Sequence, residues 1–221
     1  MNIEQARFNM IEQQIRPWDV LDGHVLSLLA SVRREDFVPP AYRALAFVDC
    51  EVPLAPGGAD GQVMLAPKVE ARLLQEAQVQ RHERVLEIGA GSGFMAALLA
   101  HRAQSVISLE RVGALAAMAT ANLRRAGVLN ASVREADGAA GLAGEAPFDV
   151  IVLSGSVAEV PQALLDQLKP GGRLLTIVGH EPVMRALRIT RLSTSALKSE
   201  ELFDTVAPRL IGFPEPARFT F

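Results

Sequence analysis

A glycine-rich run flanked by acidic residues is the part of the sequence best suited to bind a ligand. Residues 87–93 read Glu-Ile-Gly-Ala-Gly-Ser-Gly, directly after an apolar stretch typical of a β-strand and before one typical of a helix. In a doubly wound sheet this position lies at the carboxyl end of the first strand, where ligands bind. Glycines there let the backbone approach a ligand closely. The run therefore predicts a ligand-binding turn.

The spacing of these glycines disfavours the common phosphate-binding motifs. A dinucleotide fingerprint has glycines at the first, third and sixth places, but here the sixth place is Phe94 and the third glycine stands at the fifth place. A P-loop requires Gly-Lys-Ser or Gly-Lys-Thr, and neither tripeptide occurs in the chain. The pattern argues against NAD and against nucleoside triphosphates.

Acidic residues at the ends of the next two predicted strands favour an adenosine ligand. Glu110 ends the second strand, and an ionised carboxylate there can accept from both hydroxyls of a ribose. After the third strand, Asp137 could accept from an adenine amino group, and Gly138 would leave room for the ring. Glu87 could attract an ammonium group. Without a phosphate cradle, these residues predict a nucleoside with an amino acid tail, S-adenosylmethionine.

The elements that must position these residues follow from the hydrophobic pattern. Residues 3–15 and 22–34 have apolar side chains at helical spacing, which predicts two N-terminal helices. The Pro- and Gly-rich stretch 51–67 predicts a surface loop. From residue 84, short apolar runs at 85–88, 105–109, 148–153 and 173–178, with Val133 in a weaker one, alternate with helical patterns at 94–102, 115–126 and 160–168. This alternation predicts an α/β fold with a parallel sheet. Segments 187–192 and 202–210 are weaker strand candidates.

Composition excludes several classes of protein. The 221 residues are 49% hydrophobic and 21% charged, which is typical of a folded domain. With a formal net charge of -3, the chain has no positive field to hold nucleic acid. The longest apolar runs are far shorter than the roughly 20 residues of a membrane helix. The single cysteine, Cys50, and four scattered histidines predict neither a disulfide nor a metal site. We expect a cytoplasmic location.

Motifs along most of the chain, from about Met10 to Gly212, resemble the protein-L-isoaspartate O-methyltransferases. They are found in segments 33–39 (Arg-Arg-Glu-Asp-Phe-Val-Pro), 53–54 (Pro-Leu), 61–62 (Gly-Gln), 66–67 (Ala-Pro), 85–93 (Val-Leu-Glu-Ile-Gly-Ala-Gly-Ser-Gly), 137–138 (Asp-Gly), 146–149 (Ala-Pro-Phe-Asp) and 167–174 (Gln-Leu-Lys-Pro-Gly-Gly-Arg-Leu). The resemblance implies a doubly wound, mostly parallel, seven-stranded sheet of the Rossmann-like methyltransferase type with an N-terminal helical extension. It also implies methylation of isoaspartyl residues in damaged proteins or peptides.

We divide the single predicted domain, 1–221, into N-terminal helices (1–50), a substrate-side loop (51–68), a cofactor-binding core (69–180) and C-terminal strands (181–221). The predicted cofactor-binding residues are Glu87, Gly89, Ala90, Gly91, Ser92, Gly93, Glu110, Asp137 and Gly138. The predicted substrate-pocket residues are Gln62, Val63, Met64, Leu65 and Ser154. The expected cofactor product is S-adenosylhomocysteine, and no metal is expected.

The loop at 61–67 departs from the family pattern. The family reads Gly-Gln-Thr-Ile-Ser, a further residue and proline, and its serine is a characteristic active-site residue; here Leu65 stands in that place. No catalytic residue is therefore assigned. Loss of a hydroxyl that holds the acceptor predicts a slower reaction, and three apolar residues in a row suit a different acceptor equally well. Three hypotheses stay open: isoaspartyl methylation, methylation of another acceptor, and a cofactor-binding protein without turnover.

Overall fold

The computed structural model describes residues 2–55 and 61–215. Within these ranges the α-helices are α1 Ile3–Met10, α2 Gly23–Ser31, α3 Pro67–Ala77, α4 Phe94–Ala100, α5 Gly113–Arg125 and α6 Gln162–Leu165. The β-strands are β1 Val52–Pro53, β2 Val63–Met64, β3 Arg84–Ile88, β4 Ser105–Glu110, β5 Ala131–Glu135, β6 Phe148–Val157, β7 Leu168–His180, β8 Val183–Arg191 and β9 Leu197–Asp204. Parts of the predicted substrate-side loop and C-terminal strands, residues 56–60 and 216–221, lie outside the described residues.

Seven strands form the main sheet in the order β5-β4-β3-β6-β7-β8-β9. Strands β3 to β7 pair in parallel, whereas β8 and β9 run antiparallel to their neighbours. The mostly parallel, doubly wound sheet predicted from the sequence is thus confirmed. The chain winds outward from β3 in one direction through β4 and β5, and then returns to the other side of β3 with β6. This reversal makes the carboxyl end of β3 the switch point where such folds bind ligands.

Helices cover both faces of the sheet. Helix α4 is buried at all seven positions because it lies between the sheet and its neighbouring helices, and its apolar sequence FMAALLA suits such a place. One core cluster includes residues of α2, α3, α4 and α5; a second, on the other sheet face, includes residues of α6. In the N-terminal extension, the Trp18 ring packs edge-on against the Phe203 ring of β9, and the two ring centroids are 5.3 Å apart.

The opening helix has the predicted extent, 3–15, but its second part, Ile11–Ile15, is π-helical, and a 3₁₀ turn that contains Pro17 follows. Several other local predictions were wrong in extent. The helix predicted at 160–168 is one turn, α6, because Pro161 precedes it and Leu168 already belongs to β7. The two last strands lie at 183–191 and 197–204, so residues 205–210 are not a strand. The predicted loop contains the short antiparallel pair β1–β2.

Candidate functional site

Residues 89–93, called the glycine loop below, turn sharply between β3 and α4. Gly89, Gly91 and Gly93 have φ angles of 93°, 52° and 82°, a left-handed region that favours glycine. The backbone N–H groups of Gly89 and Ala90 donate to the Leu109 carbonyl at 2.8 and 3.2 Å, which fixes the loop against the end of β4. Gly93 is the N-cap of α4. The loop is thus a preformed turn with its backbone at the sheet edge.

Glu110 fastens the glycine loop to the second strand end. Its carboxylate accepts from the Gly91 N–H at 2.8 Å and from the Val112 N–H at 2.9 Å, and the residue is 7% exposed. A carboxylate has about four acceptor positions, so each oxygen retains capacity for a further donor. The structure therefore brings the residue predicted to hold a ribose into direct contact with the predicted cofactor turn.

Asp137 and Gly138 behave differently from one another. The Asp137 carboxylate pairs with Arg111 at 2.5 Å, caps the Ala139 N–H at 3.0 Å, and its side chain is about half exposed. Each oxygen therefore has one donor and retains capacity for another, as in Glu110, so acceptance from an adenine amino group stays a prediction. Gly138 is buried, and a Cβ there would lie 2.3 Å from Cγ2 of Ile88. Packing against Ile88 therefore requires a glycine at this position, and that Gly138 leaves room for an adenine ring stays a prediction.

Two adjoining cavities lie at this edge of the sheet. The large cavity, about 80 Å³, is lined by Gln62, Gly89, Glu110, Gly138 and apolar residues including Ile88, Leu109 and Val112. The small cavity, about 20 Å³, is lined by Met64, Leu65, Glu70, Glu87, Ala90, Ser92 and the first residues of α4. Val63, Gly89, Gly91 and Ser154 line both. All five predicted substrate-pocket residues and all predicted cofactor residues except Gly93 and Asp137 therefore line one cavity or both.

Glu87 is fully buried beside the small cavity. Its carboxyl oxygens accept from the hydroxyls of Ser108 at 2.5 Å and Ser154 at 2.8 Å. Burial raises the pKa of Glu87 to about 8, against the opposing effect of the two serine hydroxyls. Ser154, predicted from the sequence to line the substrate pocket, thus donates its hydroxyl to Glu87. Ser156 is buried and donates to the Ala207 carbonyl at 2.8 Å, so it is structural.

Val63, Met64 and Leu65, called the apolar loop below, are packed more tightly than a surface lip would be. Met64 is 3% and Leu65 5% exposed, and both belong to the main core cluster. Arg34, itself 1% exposed, donates to the Leu65 carbonyl at 2.8 Å and pairs with Glu70. Burial raises the pKa of Glu70, and Arg34 opposes that rise. Sequence reasoning missed this pair, although Glu70 occupies a buried position of the amphipathic helix α3.

A further wall of the large cavity comes from residues 207–213, called the closing segment below. Two backbone hydrogen bonds join this segment to β6. The Ser156 N–H donates to the Pro208 carbonyl at 2.8 Å, and the Leu210 N–H donates to the Ser156 carbonyl at 2.9 Å. Leu210 lies against the glycine loop, within 2.8 Å of the place where a Cβ on Gly89 would stand. Arg209, Leu210, Ile211 and Phe213 line the large cavity. The sequence contains no signal that would bring this segment to the site.

The site fits the predicted nucleoside with an amino acid tail. The large cavity offers apolar walls and a buried carboxylate, and the small cavity holds a buried carboxyl group without a cationic partner among the described residues. No group of three or more His, Cys, Asp or Glu side chains in these ranges is arranged to bind a metal ion. No helix in the described parts of the chain is long and apolar enough to cross a membrane.

Comparisons with known proteins agree with this geometry. The family model of protein-L-isoaspartate(D-aspartate) O-methyltransferase matches residues 5–206. Curated relatives include a protein-L-isoaspartate O-methyltransferase of Koribacter versatilis, 39% identical over 93% of this chain and 90% of its own length. Another, from Rhodopseudomonas palustris, is 41% identical over 93% of this chain and 83% of its own length. A Plasmodium falciparum structure described as a putative protein-L-isoaspartate O-methyltransferase in complex with S-adenosyl-L-homocysteine superimposes with a TM-score of 0.74 at 21% identity, over 95% of this chain and 98% of its own.

Proposed function

This chain belongs to the protein-L-isoaspartate O-methyltransferase family, and we propose that it transfers a methyl group from S-adenosylmethionine to the free carboxylate of L-isoaspartyl residues in proteins or peptides. The observation that carries the proposal is the family match over nearly the whole chain. The two adjoining cavities at the switch point support it, because a nucleoside and its amino acid tail need neighbouring spaces of different character.

We assign the large cavity to the adenosine part of the cofactor and the small cavity to its tail. When bound, S-adenosylmethionine supplies an electrophilic methyl group on a sulfonium. Glu110 accepts from the ribose hydroxyls, Gly138 leaves room for the adenine ring, and Glu87 faces the tail ammonium. Ser92 and Ala90 shape the turn around the tail. Asp137, through its pair with Arg111, borders the site rather than lining it.

The acceptor needs positioning more than activation. A carboxylate has a reference pKa near 4 and is ionised at neutral pH, so no general base is required. The protein must hold the acceptor oxygen about 3 to 3.5 Å from the methyl carbon, in line with the bond that breaks, and exclude water. We assign this task to Gln62: the residue lines the large cavity next to Val63, which borders both cavities, and its side-chain amide has no hydrogen-bond partner among the described residues. It can donate to the acceptor carboxylate.

Leu65 is the feature that favours the rival hypothesis, a cofactor-binding protein without turnover. Its side chain belongs to the core and its carbonyl is held by Arg34, so the residue has a structural role that needs no hydroxyl. With Gln62 as donor, the acceptor can be held without the family serine. Methylation of damaged proteins is therefore the better-supported function. That the protein acts in the cytoplasm, on neither nucleic acid nor membranes, stays a prediction.

The test is methyl transfer to a pair of peptides that differ only in an isoaspartyl or an ordinary aspartyl linkage. We expect base-labile methyl ester on the isoaspartyl peptide and none on its partner. Gln62→Met should lower kcat/KM for the isoaspartyl peptide by about tenfold to a hundredfold, as expected for a lost hydrogen bond to a charged group. Gln13→Met, at an exposed position of the π-helical stretch, is the matched control.

The outcomes separate the hypotheses. Binding of S-adenosylhomocysteine without turnover on either peptide would support the protein without activity. Turnover on protein extracts but not on the isoaspartyl peptide would indicate a different acceptor. Equal activity of the Gln62→Met and wild-type proteins would remove Gln62 from the acceptor site.

A further inference from the structure

Glu87 is a carboxyl group without the partner that an ionised side chain needs. It has zero exposed surface, and its hydrogen bonds come from two neutral hydroxyls, those of Ser108 and Ser154. No Lys, Arg or His among the described residues forms an ion pair with it. A negative charge that is buried with neutral donors alone is unfavourable, so such a group takes up a proton.

The charges around Glu87 add to this effect. Helix α3 contributes Glu70, which lines the same small cavity, and β4 contributes Glu110. Both raise the pKa of Glu87. Arg34, which opposes the raised pKa of Glu70, is bound to Glu70 and to the Leu65 carbonyl and forms no ion pair with Glu87. The neighbouring strand β6 contributes the uncharged Ser154, and α4 contributes the apolar Phe94 and Met95.

The small cavity thus has an excess of acidic groups and joins the large cavity through the glycine loop. A cation is the ligand that such a space favours. The amino acid tail of S-adenosylmethionine carries an ammonium group and a carboxylate, and of these two only the ammonium group suits an acidic partner. In S-adenosylhomocysteine, whose sulfur is an uncharged thioether, the ammonium group is the only cation. A nucleoside without the tail would bring no cation to the acidic groups of the small cavity.

We propose that Glu87 is protonated in the ligand-free protein and releases its proton when the ammonium group of the cofactor occupies the small cavity, so that the site selects the cationic tail by proton exchange. This inference rests on the proposed cofactor. The O–H bond of the Glu87 carboxyl breaks, its proton passes to the solvent, and the ammonium charge replaces it beside the carboxylate. Ser108 and Ser154 then donate to the ionised form.

Calorimetry tests the coupling. We would titrate S-adenosylhomocysteine into the protein at pH 7 in two buffers of different ionisation enthalpy, which gives the number of protons released. With a pKa of about 8 for Glu87, about 0.9 proton should be released for each ligand bound. The association constant should rise by about tenfold between pH 6 and pH 7, a range in which the ligand's own amino group stays protonated.

Two comparisons locate the proton. The nucleoside 5′-methylthioadenosine lacks the amino acid tail and should bind without proton release, a control that needs no variant. Glu87→Gln should bind S-adenosylhomocysteine without proton release, whereas Glu135→Gln, exposed at the end of β5, should release as many protons as the wild type.

The results distinguish failure of the proton coupling from failure of the proposed cofactor. Proton release that persists in Glu87→Gln, or that equals the wild-type value with 5′-methylthioadenosine, would overturn the coupling while leaving the cofactor in place. Binding of both nucleosides without any proton release would do the same. If neither nucleoside binds, the proposed cofactor itself is wrong, and the coupling is overturned with it.

Discussion

The glycine loop and the apolar loop face each other across the site, but they are held by different means. The glycine loop is fixed by hydrogen bonds from its own backbone to Leu109 and Glu110 at the adjacent strand end. The apolar loop is fixed by burial of Met64 and Leu65 and by Arg34, which lies 31 positions away from Leu65. Backbone geometry therefore shapes the cofactor side, whereas packing between distant segments shapes the other.

Gly93→Ala should have the largest effect, because the glycine loop tolerates no side chain there. A Cβ on Gly93 would lie 3.1 Å from the Ala119 carbonyl oxygen and 3.2 Å from its Cα, both backbone atoms of α5, at a φ of 82°. We expect the free energy of unfolding to fall by about 4 kcal/mol, the sum of the conformational and overpacking costs. Urea denaturation measures it.

Gly127→Ala is the matched control for Gly93→Ala. Its φ is 71°, but nothing lies within 4 Å of the added Cβ. The Gly127→Ala substitution should lower the free energy of unfolding by about 1 kcal/mol, because it carries only the conformational cost. If the two variants are equally stable, α5 does not restrain the glycine loop, and the contrast between the two loops is weaker than we describe.

Leu65→Ala tests whether the apolar loop serves packing. Loss of a buried leucine side chain should lower the free energy of unfolding by about 3 kcal/mol, with little change in the dissociation constant of S-adenosylhomocysteine. Denaturation and calorimetry on the same sample measure both. Val63→Ala, at a half-buried position of the same loop, should cost about 1 kcal/mol. A large loss of affinity with unchanged stability would show that Leu65 acts on the ligand instead.

Glu110→Gln should have a smaller effect than Gly93→Ala or Leu65→Ala, and its effect should be the one most confined to the cofactor side. In the wild type, two backbone N–H groups each donate to one oxygen of the Glu110 carboxylate. The amide of the variant has only one oxygen, so one of these N–H groups would face an NH₂ group instead. We expect a loss of about 2 kcal/mol in binding, or roughly 30-fold weaker S-adenosylhomocysteine. Glu135→Gln, at the exposed end of β5, should bind as the wild type does. Equal affinity of the two variants would contradict the role assigned to Glu110.

The contrast between the glycine loop and the apolar loop also separates what could be predicted from the sequence from what could not. The strands, the glycine loop and Glu110 are contiguous or come at strand ends, where hydrophobic periodicity and glycine spacing carry the information. The pair of Arg34 and Glu70 joins residues 36 positions apart, and no local pattern links them. The position of Asp137 after a strand was predicted. Its pairing with Arg111 was not, because that pairing depends on how the turn after β4 places the Arg111 side chain.

The closing segment was beyond prediction for a related reason. Residues 207–213 contain no periodic pattern, and their position is determined by backbone hydrogen bonds to Ser156. The weaker strand predicted at 202–210 overlapped it, but β9 ends at Asp204. A segment held by an isolated pairing with a distant strand leaves no trace in the local sequence.

The closing segment separates ligand binding from completion of the sheet. All strands of the main sheet precede residue 207 in the sequence, whereas Leu210 and Phe213 form part of the wall of the large cavity. Loss of residues 207–213 would therefore leave every strand of the sheet present while it opens the cavity. Damage confined to this segment would abolish binding without removing any part of the sheet.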